Sequence, residues 1–164
     1  MRTFFRRSPP DDCRLCALKA AVGGLVAIAL VAVMAELAGS LAPIAPLAAS
    51  CVLVFAAPAS PMAQPANVIG GHLLSTSVAL AMDAVLPGGW WVAALGVGVA
   101  IWLMGVTRLT HPPAGADALV VLTAHPGLEY LFFPVLAGSV TMVAVGVAVH
   151  RLMPPRAAYP MPVE

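Results

Sequence analysis

The sequence predicts an all-α protein, a polytopic bundle of transmembrane helices with about five or six apolar segments. Of its 164 residues, 61% are hydrophobic and only 9% are charged, and the mean hydropathy is +0.97. Soluble domains carry roughly 25% charged residues, so most of this surface must face lipid. Two proline-rich stretches, at 57–67 and 107–117, interrupt the apolar sequence. We call them the first break and the second break.

The first apolar segment runs from about Leu15 to Leu37 and follows a basic stretch. It is longer than the roughly 7–15 residues of a signal-peptide core, so we expect an uncleaved helix. Positive charge before a membrane segment places that end in the cytoplasm. Residues 1–14 are therefore predicted to be a cytoplasmic basic segment. The basic residues at or before the start of the apolar segment are Arg2, Arg6, Arg7, Arg14 and Lys19, offset by Asp11 and Asp12.

Three further segments follow, separated by turn residues. The second runs from about Leu41 to Ala57 and ends at the first break. The third runs from about Val68 to Leu86, where Pro87–Gly89 forms a turn. The fourth begins at Trp90, in the position of an aromatic belt, and ends at about Val106.

The segment after the second break is short, from Ala114 to about Ala124. A helix needs about 20 residues to span the hydrocarbon core, so this piece either re-enters or completes a crossing with the residues that follow. The last segment runs from about Tyr130 to Leu152, with Arg151 and Arg156 at its end. A crossing puts these arginines in the cytoplasm, which favours six segments. The predicted membrane domain is then 15–152, followed by a disordered tail at 153–164.

Six segments predict a parallel internal repeat, because each break joins two apolar segments in the same order. Each break also leads into a helix N-terminus, where free N–H groups and the helix dipole favour an anion. Asn67 is a candidate N-cap, and Gln64 can supply a hydrogen bond. The glycines near the two helix starts allow close approach by a ligand or a helix: Gly70, Gly71 and Gly115.

Three ionisable side chains near the breaks are candidate site residues. Arg108 is the only lysine or arginine between residues 20 and 150, and an intramembrane charge is a functional hypothesis; the alternative is a snorkelling side chain. His72 and His111 suit proton binding near neutral pH. The alternatives are a hydrogen-bonded buried imidazole for His72 and a turn residue for His111.

Metal and catalytic sites are not expected. The histidines and carboxylates lack metal-ligand spacing, and no phosphate loop or nucleophile elbow is present. Cys13 and Cys16 form a C-x-x-C that suits a redox pair, half a metal site, a lipidated position or simple packing. The scattered groups are His72, His111, His125, Asp83, Asp117 and Glu129.

Two motifs, at 60–72 and 103–116, closely resemble the HPP family of integral membrane proteins, which is named for the triplet found here at His111-Pro112-Pro113. The resemblance covers about 15–152 and implies four membrane helices. Through plant chloroplast and cyanobacterial relatives associated with nitrite transport, it also implies a small-anion transporter. Asp117 departs from the small or polar residues common at its position. A carboxylate beside an anion site must be neutralised or turned away.

We therefore expect a transporter or channel for a small monovalent anion, nitrite first, with a proton able to accompany it. The bundle is small, so a homo-oligomer, a dimer or trimer, is expected in a bacterial cytoplasmic membrane. Neither a cofactor nor a nucleic-acid partner is expected. The alternatives are a non-transporting scaffold or partner subunit and, with less support, a membrane enzyme. The predicted substrate-binding residues are Gln64, Asn67, Gly70, Gly71, His72, Arg108, His111 and Gly115.

Overall fold

Six α-helices form the bundle in the computed structural model, which describes residues 13–37, 39 and 44–162. No strand occurs among those residues, so the all-α prediction is confirmed. The basic residues of 1–12 lie outside the described part. In chain order the helices are α1 (Arg14–Leu37), α2 (Ile44–Ala56), α3 (Pro65–Asp83), α4 (Trp90–Val106), α5 (Gly115–Ala124) and α6 (Ala137–Leu152).

Two helical stretches are long and apolar enough to cross a membrane. They are α1, with 24 residues, and the 22 residues Leu131–Leu152, which comprise α6 and the kinked helical turn before it. The shorter α2 and α4 are also apolar. The family resemblance implies four membrane helices. The described residues contain six α-helices of unequal length, two more than that number.

The short helix α5 completes a crossing of the bundle. Its ten residues are about 15 Å long, but its carboxyl end reaches the carboxyl end of α3, where His125 Nδ1 lies 2.6 Å from Asp83 Oδ1. At the opposite end, α6 returns to the carboxyl end of α2, where His150 Nε2 donates to the Val54 carbonyl at 2.9 Å. Lys19, near the start of α1, donates to the Pro155 carbonyl just after α6. The start of α1 and the end of α6 therefore share one end of the bundle, as the six-segment prediction requires.

The two breaks have the same local structure. Each contains a single 3₁₀ turn, at Pro61–Ala63 in the first break and Pro112–Ala114 in the second. One residue separates the first turn from α3, and the second turn leads directly into α5. The prolines suit these turns because their φ is already restricted and they have no N–H to satisfy. Helix, 3₁₀ turn and helix thus recur in the same order, which supports the predicted repeat.

The interior consists of two apolar clusters joined by α3 and the breaks. One involves α1, α2 and α6, and the other α3, α4 and α5. The first contains Val31, Leu47, Val54, Met142 and Tyr159, among others. The second contains Ala79, Val92, Ala100, Val121 and Tyr130, among others.

Cys13 and Cys16 are joined by a disulfide at the start of α1. Of the alternatives that the sequence leaves open for the C-x-x-C, the structure thus shows a disulfide-bonded cysteine pair. Cys51 is free and buried in α2.

The segment after α6 packs on the bundle, which differs from the disordered tail predicted at 153–164. Tyr159 is 1% exposed, and its hydroxyl donates to the Ala63 carbonyl at 2.9 Å. Met161 N donates to Gln64 Oε1 at 2.8 Å. Proline composition suggested disorder, but a buried aromatic side chain with a hydrogen-bonded hydroxyl offsets the ordering of a short proline-rich segment, whose chain entropy is already low.

Replacing Tyr159 tests this packing. We expect Tyr159→Ala to lower the free energy of unfolding by about 3 kcal/mol because it removes a buried ring. Tyr159→Phe should cost about 1 kcal/mol because it removes only the hydrogen bond. Thermal unfolding in detergent micelles measures both, with Met161→Ala, an exposed side chain of the same segment, as the control. Equal stability of all three variants would show that the segment does not pack on the bundle.

Candidate functional site

The two breaks contact each other inside the bundle. Asn67 Nδ2 donates to the carbonyls of Arg108 at 3.3 Å and Thr110 at 3.0 Å. In return, His111 Nδ1 donates to the carbonyl of Met62 at 2.7 Å. Backbone without regular partners is thus satisfied by side chains from the other break, as a lipid environment requires.

Two glycines of α3 permit this contact. A Cβ on Gly71 would lie 2.8 Å from His111 Cβ and 3.1 Å from the Leu109 carbonyl oxygen. A Cβ on Gly70 would lie 3.0 Å from Leu109 Cδ1. The close approach predicted for these glycines is therefore made by the second break.

Four buried side chains are linked where the breaks meet. Ser50 Oγ of α2 lies 2.8 Å from Nε2 of His72 in α3 and 2.8 Å from Nε2 of His111 in the second break. His72 Nδ1 lies 2.6 Å from Oδ2 of Asp117 in α5. None of the four is more than 1% exposed. We call Asp117, His72, Ser50 and His111 the buried polar chain.

The hydrogens of the buried polar chain can be counted. The Met62 carbonyl only accepts, so His111 Nδ1 carries a hydrogen. Four hydrogen bonds then run from Asp117 to Met62 and need four hydrogens. An ionised carboxylate, two neutral imidazoles and one hydroxyl supply only three. The fully bonded chain therefore holds one further proton and has no net charge.

That proton can occupy three positions that satisfy the same number of hydrogen bonds. It can lie on the carboxyl group of Asp117, on His72 or on His111, and all four bonds are satisfied in each case. Passing between these states needs only shifts of hydrogens along existing bonds. In a buried setting such bonds polarise one another. The buried polar chain can therefore hold a proton and pass it between α5 and the second break.

The Ser50 hydroxyl has a second acceptor, the Pro46 carbonyl at 3.2 Å. If it donates there, both imidazole Nε2 atoms must donate to Ser50 Oγ. His111 is then an imidazolium ion, and one further proton is shared between His72 and Asp117, so the buried polar chain carries one net positive charge. Uptake of one proton together with rotation of one hydroxyl therefore converts the neutral state into the cationic one.

Further buried hydroxyls continue from His72 along the bundle. Ser75 and Thr76 lie one turn beyond His72 on α3, and Tyr130 packs in the same cluster as Ala79 of that helix. Their hydroxyl oxygens are buried and have no hydrogen-bond partner among the described residues. Native structures normally satisfy such groups, so each hydroxyl can still form a hydrogen bond to a polar species that reaches it.

Other predicted site residues lie outside the buried polar chain. Arg108 is exposed at the end of α4, with a left-handed φ of 61°. Gln64 Nε2 donates to the Pro58 and Ser60 carbonyls, both at 2.9 Å, so it shapes the first break. Gly115 lines an apolar cavity of about 490 Å³ beside α4.

The prediction that Asn67 caps α3 is wrong. The helix begins at Pro65 with Gln64 at the N-cap, and Asn67 is already in its first turn. A proline suits the first helical position because it has no N–H to satisfy. The Asn67 amide is thereby free to bond to the second break.

Sequence reasoning missed Ser50 and the role of Asp117. Ser50 is the only hydroxyl-bearing residue of α2, and a lone hydroxyl in an apolar helix was the available signal. Asp117 was noted only as an obstacle to anion binding. Within the described residues, no three histidine, cysteine or acidic side chains lie close enough together to hold a metal ion.

Residues 10–160 match the family described as HPP, transmembrane region. The chain belongs to the HPP family. The resemblance seen in the two motifs is therefore confirmed, and the protein is a membrane protein. His111 of the His-Pro-Pro triplet is the end of the buried polar chain that contacts the first break.

Two transmembrane proteins of Dictyostelium discoideum are similar to this HPP protein. One is 40% identical over 112 residues, which cover 63% of this chain and 36% of the relative. The other is 37% identical over 122 residues, which cover 70% and 42%. The matched region is less than half the length of either relative. No solved structure matches the chain.

Gly71→Ala tests the contact between the breaks. We expect it to destabilise the protein by about 1–3 kcal/mol, because its Cβ meets the rigid backbone of the second break. Gly98→Ala is the matched control, since no atom lies within 4 Å of a Cβ there and alanine favours a helix. Thermal unfolding of both variants in detergent gives the comparison. A Gly71→Ala protein as stable as Gly98→Ala would contradict the close approach.

Proposed function

We propose that this HPP protein transports a small monovalent anion across the membrane together with a proton. The observation that carries the proposal is the buried polar chain, whose hydrogen-bond pattern can hold one proton at three positions and a second proton in a cationic state. Nitrite is the first candidate because of the family resemblance to proteins associated with nitrite transport. Histidine is the side chain suited to such a role, since it changes charge near neutral pH.

Charge balance couples the anion to the proton. An anion inside an apolar bundle is unfavourable unless a positive charge accompanies it. The buried polar chain becomes cationic when it gains a proton and the Ser50 hydroxyl turns to Pro46. Losing that proton returns the chain to neutrality and removes the attraction. Anion and proton would therefore cross together.

Asp117 is compatible with this proposal. Its carboxylate is balanced by the proton of the chain, through His72 Nδ1 at 2.6 Å. The hydroxyls of Ser75, Thr76 and Tyr130 supply hydrogen bonds along the remaining path. Arg108 is exposed near the start of the second break. It would attract anions from solution rather than bind them inside the bundle.

Orientation and assembly complete the proposal. We infer a cytoplasmic N-terminus, hence breaks that open towards the cytoplasm, in a bacterial cytoplasmic membrane. Exposed apolar side chains of α4, such as Leu95, Ile101 and Trp102, suit either lipid or a second copy in a dimer or trimer.

The substitution Asp117→Asn tests proton transfer without disturbing the hydrogen bonds that stabilise the fold. The Asn amide can donate to His72 Nδ1, and the remaining hydrogens then satisfy the whole chain without charge. The amide does not ionise, so a proton gained at His111 can no longer be passed on to α5. We expect normal thermal stability but nitrite and proton uptake lowered about 100-fold. Uptake into proteoliposomes is measured with an internal pH dye, against protein-free liposomes.

Asp83→Asn is the matched control for this experiment. Asp83 also pairs with a histidine at 2.6 Å, but at the exposed end of the bundle, where His125 is 54% exposed. Uptake by this variant should stay within about twofold of that of the unmodified protein, as expected for an exposed pair. Equal uptake by Asp117→Asn and Asp83→Asn would refute the proton coupling.

A panel of nitrite, nitrate, formate and chloride separates transport from the alternative function. Flux of one anion that is lost in His111→Ala and only reduced in Arg108→Gln supports the proposal. Anion flux without proton movement indicates a channel. Absence of any flux from folded, inserted protein would favour a non-transporting scaffold or partner subunit.

A further inference from the structure

A basic cavity lies away from the buried polar chain, at the end of the bundle where α1 begins and α6 ends. A cavity of about 350 Å³ opens between the start of α1, the end of α2 and the segment after α6. No acidic residue lines it within the part of the chain that the structure describes. Its polar lining side chains include Lys19, His150 and Arg156, and the Cys13–Cys16 disulfide is also part of its wall.

His150 lines this cavity and has one ring nitrogen without a hydrogen-bond partner among the described residues. The side chain is 1% exposed, and its Nε2 lies 2.9 Å from the Val54 carbonyl, so Nε2 carries a hydrogen. Nδ1 is buried and has no hydrogen-bond partner among the described residues. The ring packs against Phe55 and Tyr159, with centroids 6.1 and 5.4 Å away. These contacts hold the imidazole in place.

Lys19 brings a buried positive charge to the same cavity. It is only 6% exposed, and its ammonium donates to the Pro155 carbonyl. That bond uses one of its three hydrogens. No carboxylate pairs with Lys19 among the described residues, whose ion pairs are His72–Asp117 and His125–Asp83. A buried charge of this kind calls for a counter-ion.

We propose that this cavity binds a phosphate group, either of a lipid headgroup or of a free phosphate compound. Lys19 and Arg156 donate to the phosphate oxygens, and Arg suits this because its fork matches phosphate geometry. His150 is the third polar side chain of the cavity wall. Two cationic side chains, one from α1 and one from the segment after α6, suit a group with several anionic oxygens.

The position of the cavity agrees with this ligand. The end of a transmembrane bundle lies near the lipid headgroups, and basic pockets between membrane helices there bind phosphate-bearing headgroups. The volume greatly exceeds the needs of a small monovalent anion. The cavity is formed by α1, α2 and the segment after α6, whereas the buried polar chain joins α2, α3, α5 and the second break. Its occupancy and anion transport can therefore be measured separately.

Binding is tested on the full chain purified in detergent and depleted of lipid. One arm adds inorganic phosphate and follows thermal unfolding across a concentration series. The other adds phosphatidic acid or phosphatidylcholine and counts bound lipid by native mass spectrometry. Lys19→Gln and Arg156→Gln should each weaken binding about tenfold or more. Arg156 is exposed, so that variant is informative even if Lys19→Gln does not fold.

Arg14→Gln is the matched control, since Arg14 is a basic residue at the same end of the bundle, exposed and outside the cavity. Its affinity should equal that of the unmodified protein. Tight binding of phosphatidic acid assigns the site to a headgroup, and binding of inorganic phosphate alone assigns it to a soluble phosphate. Binding of neither ligand, or equal loss in Arg14→Gln and Arg156→Gln, would overturn the proposal. If the unmodified protein binds phosphate but does not transport nitrite, only the transport proposal is refuted.

Discussion

The hydroxyl of Ser50 holds the centre of this membrane protein together. It lies 2.8 Å from an imidazole of α3 and 2.8 Å from an imidazole of the second break, and it belongs to α2. Each imidazole is fixed at its other nitrogen, by Asp117 and by the Met62 carbonyl. In a low-dielectric interior such groups are costly unless all are satisfied, so the surrounding backbone must keep this geometry.

Several features of the bundle follow from that requirement. The second break reaches the interior, so α5 meets the end of α3 although it is only ten residues long. The glycines of α3 let the break approach, and Asn67 satisfies its carbonyls. The first break contributes the Met62 carbonyl and is held in turn by Gln64 and Tyr159. The two breaks thus act as one structural unit.

Much of this arrangement was predictable from local sequence features. Apolar run lengths located the segments, prolines located the breaks, and both His72 and His111 were selected as proton-binding candidates. The N-cap role of Asn67 was wrong because Pro65 starts α3 earlier. Arg108 drew attention as an isolated charge, yet its side chain is exposed. Ser50 was missed because a single serine in an apolar helix resembles ordinary packing.

By itself, the sequence determined that lipid is the main solvent, where the helices are interrupted and which two histidines lie nearest the interruptions. These properties depend on composition and on neighbouring residues, so they can be read along the chain. Only the tertiary structure decided that Ser50 meets His72 and His111, and that Asp117 meets His72, across separations of 22, 61 and 45 residues. Hydrogen bonds depend on distance and angle to a few tenths of an ångström. Such geometry arises only when helices far apart in sequence pack together.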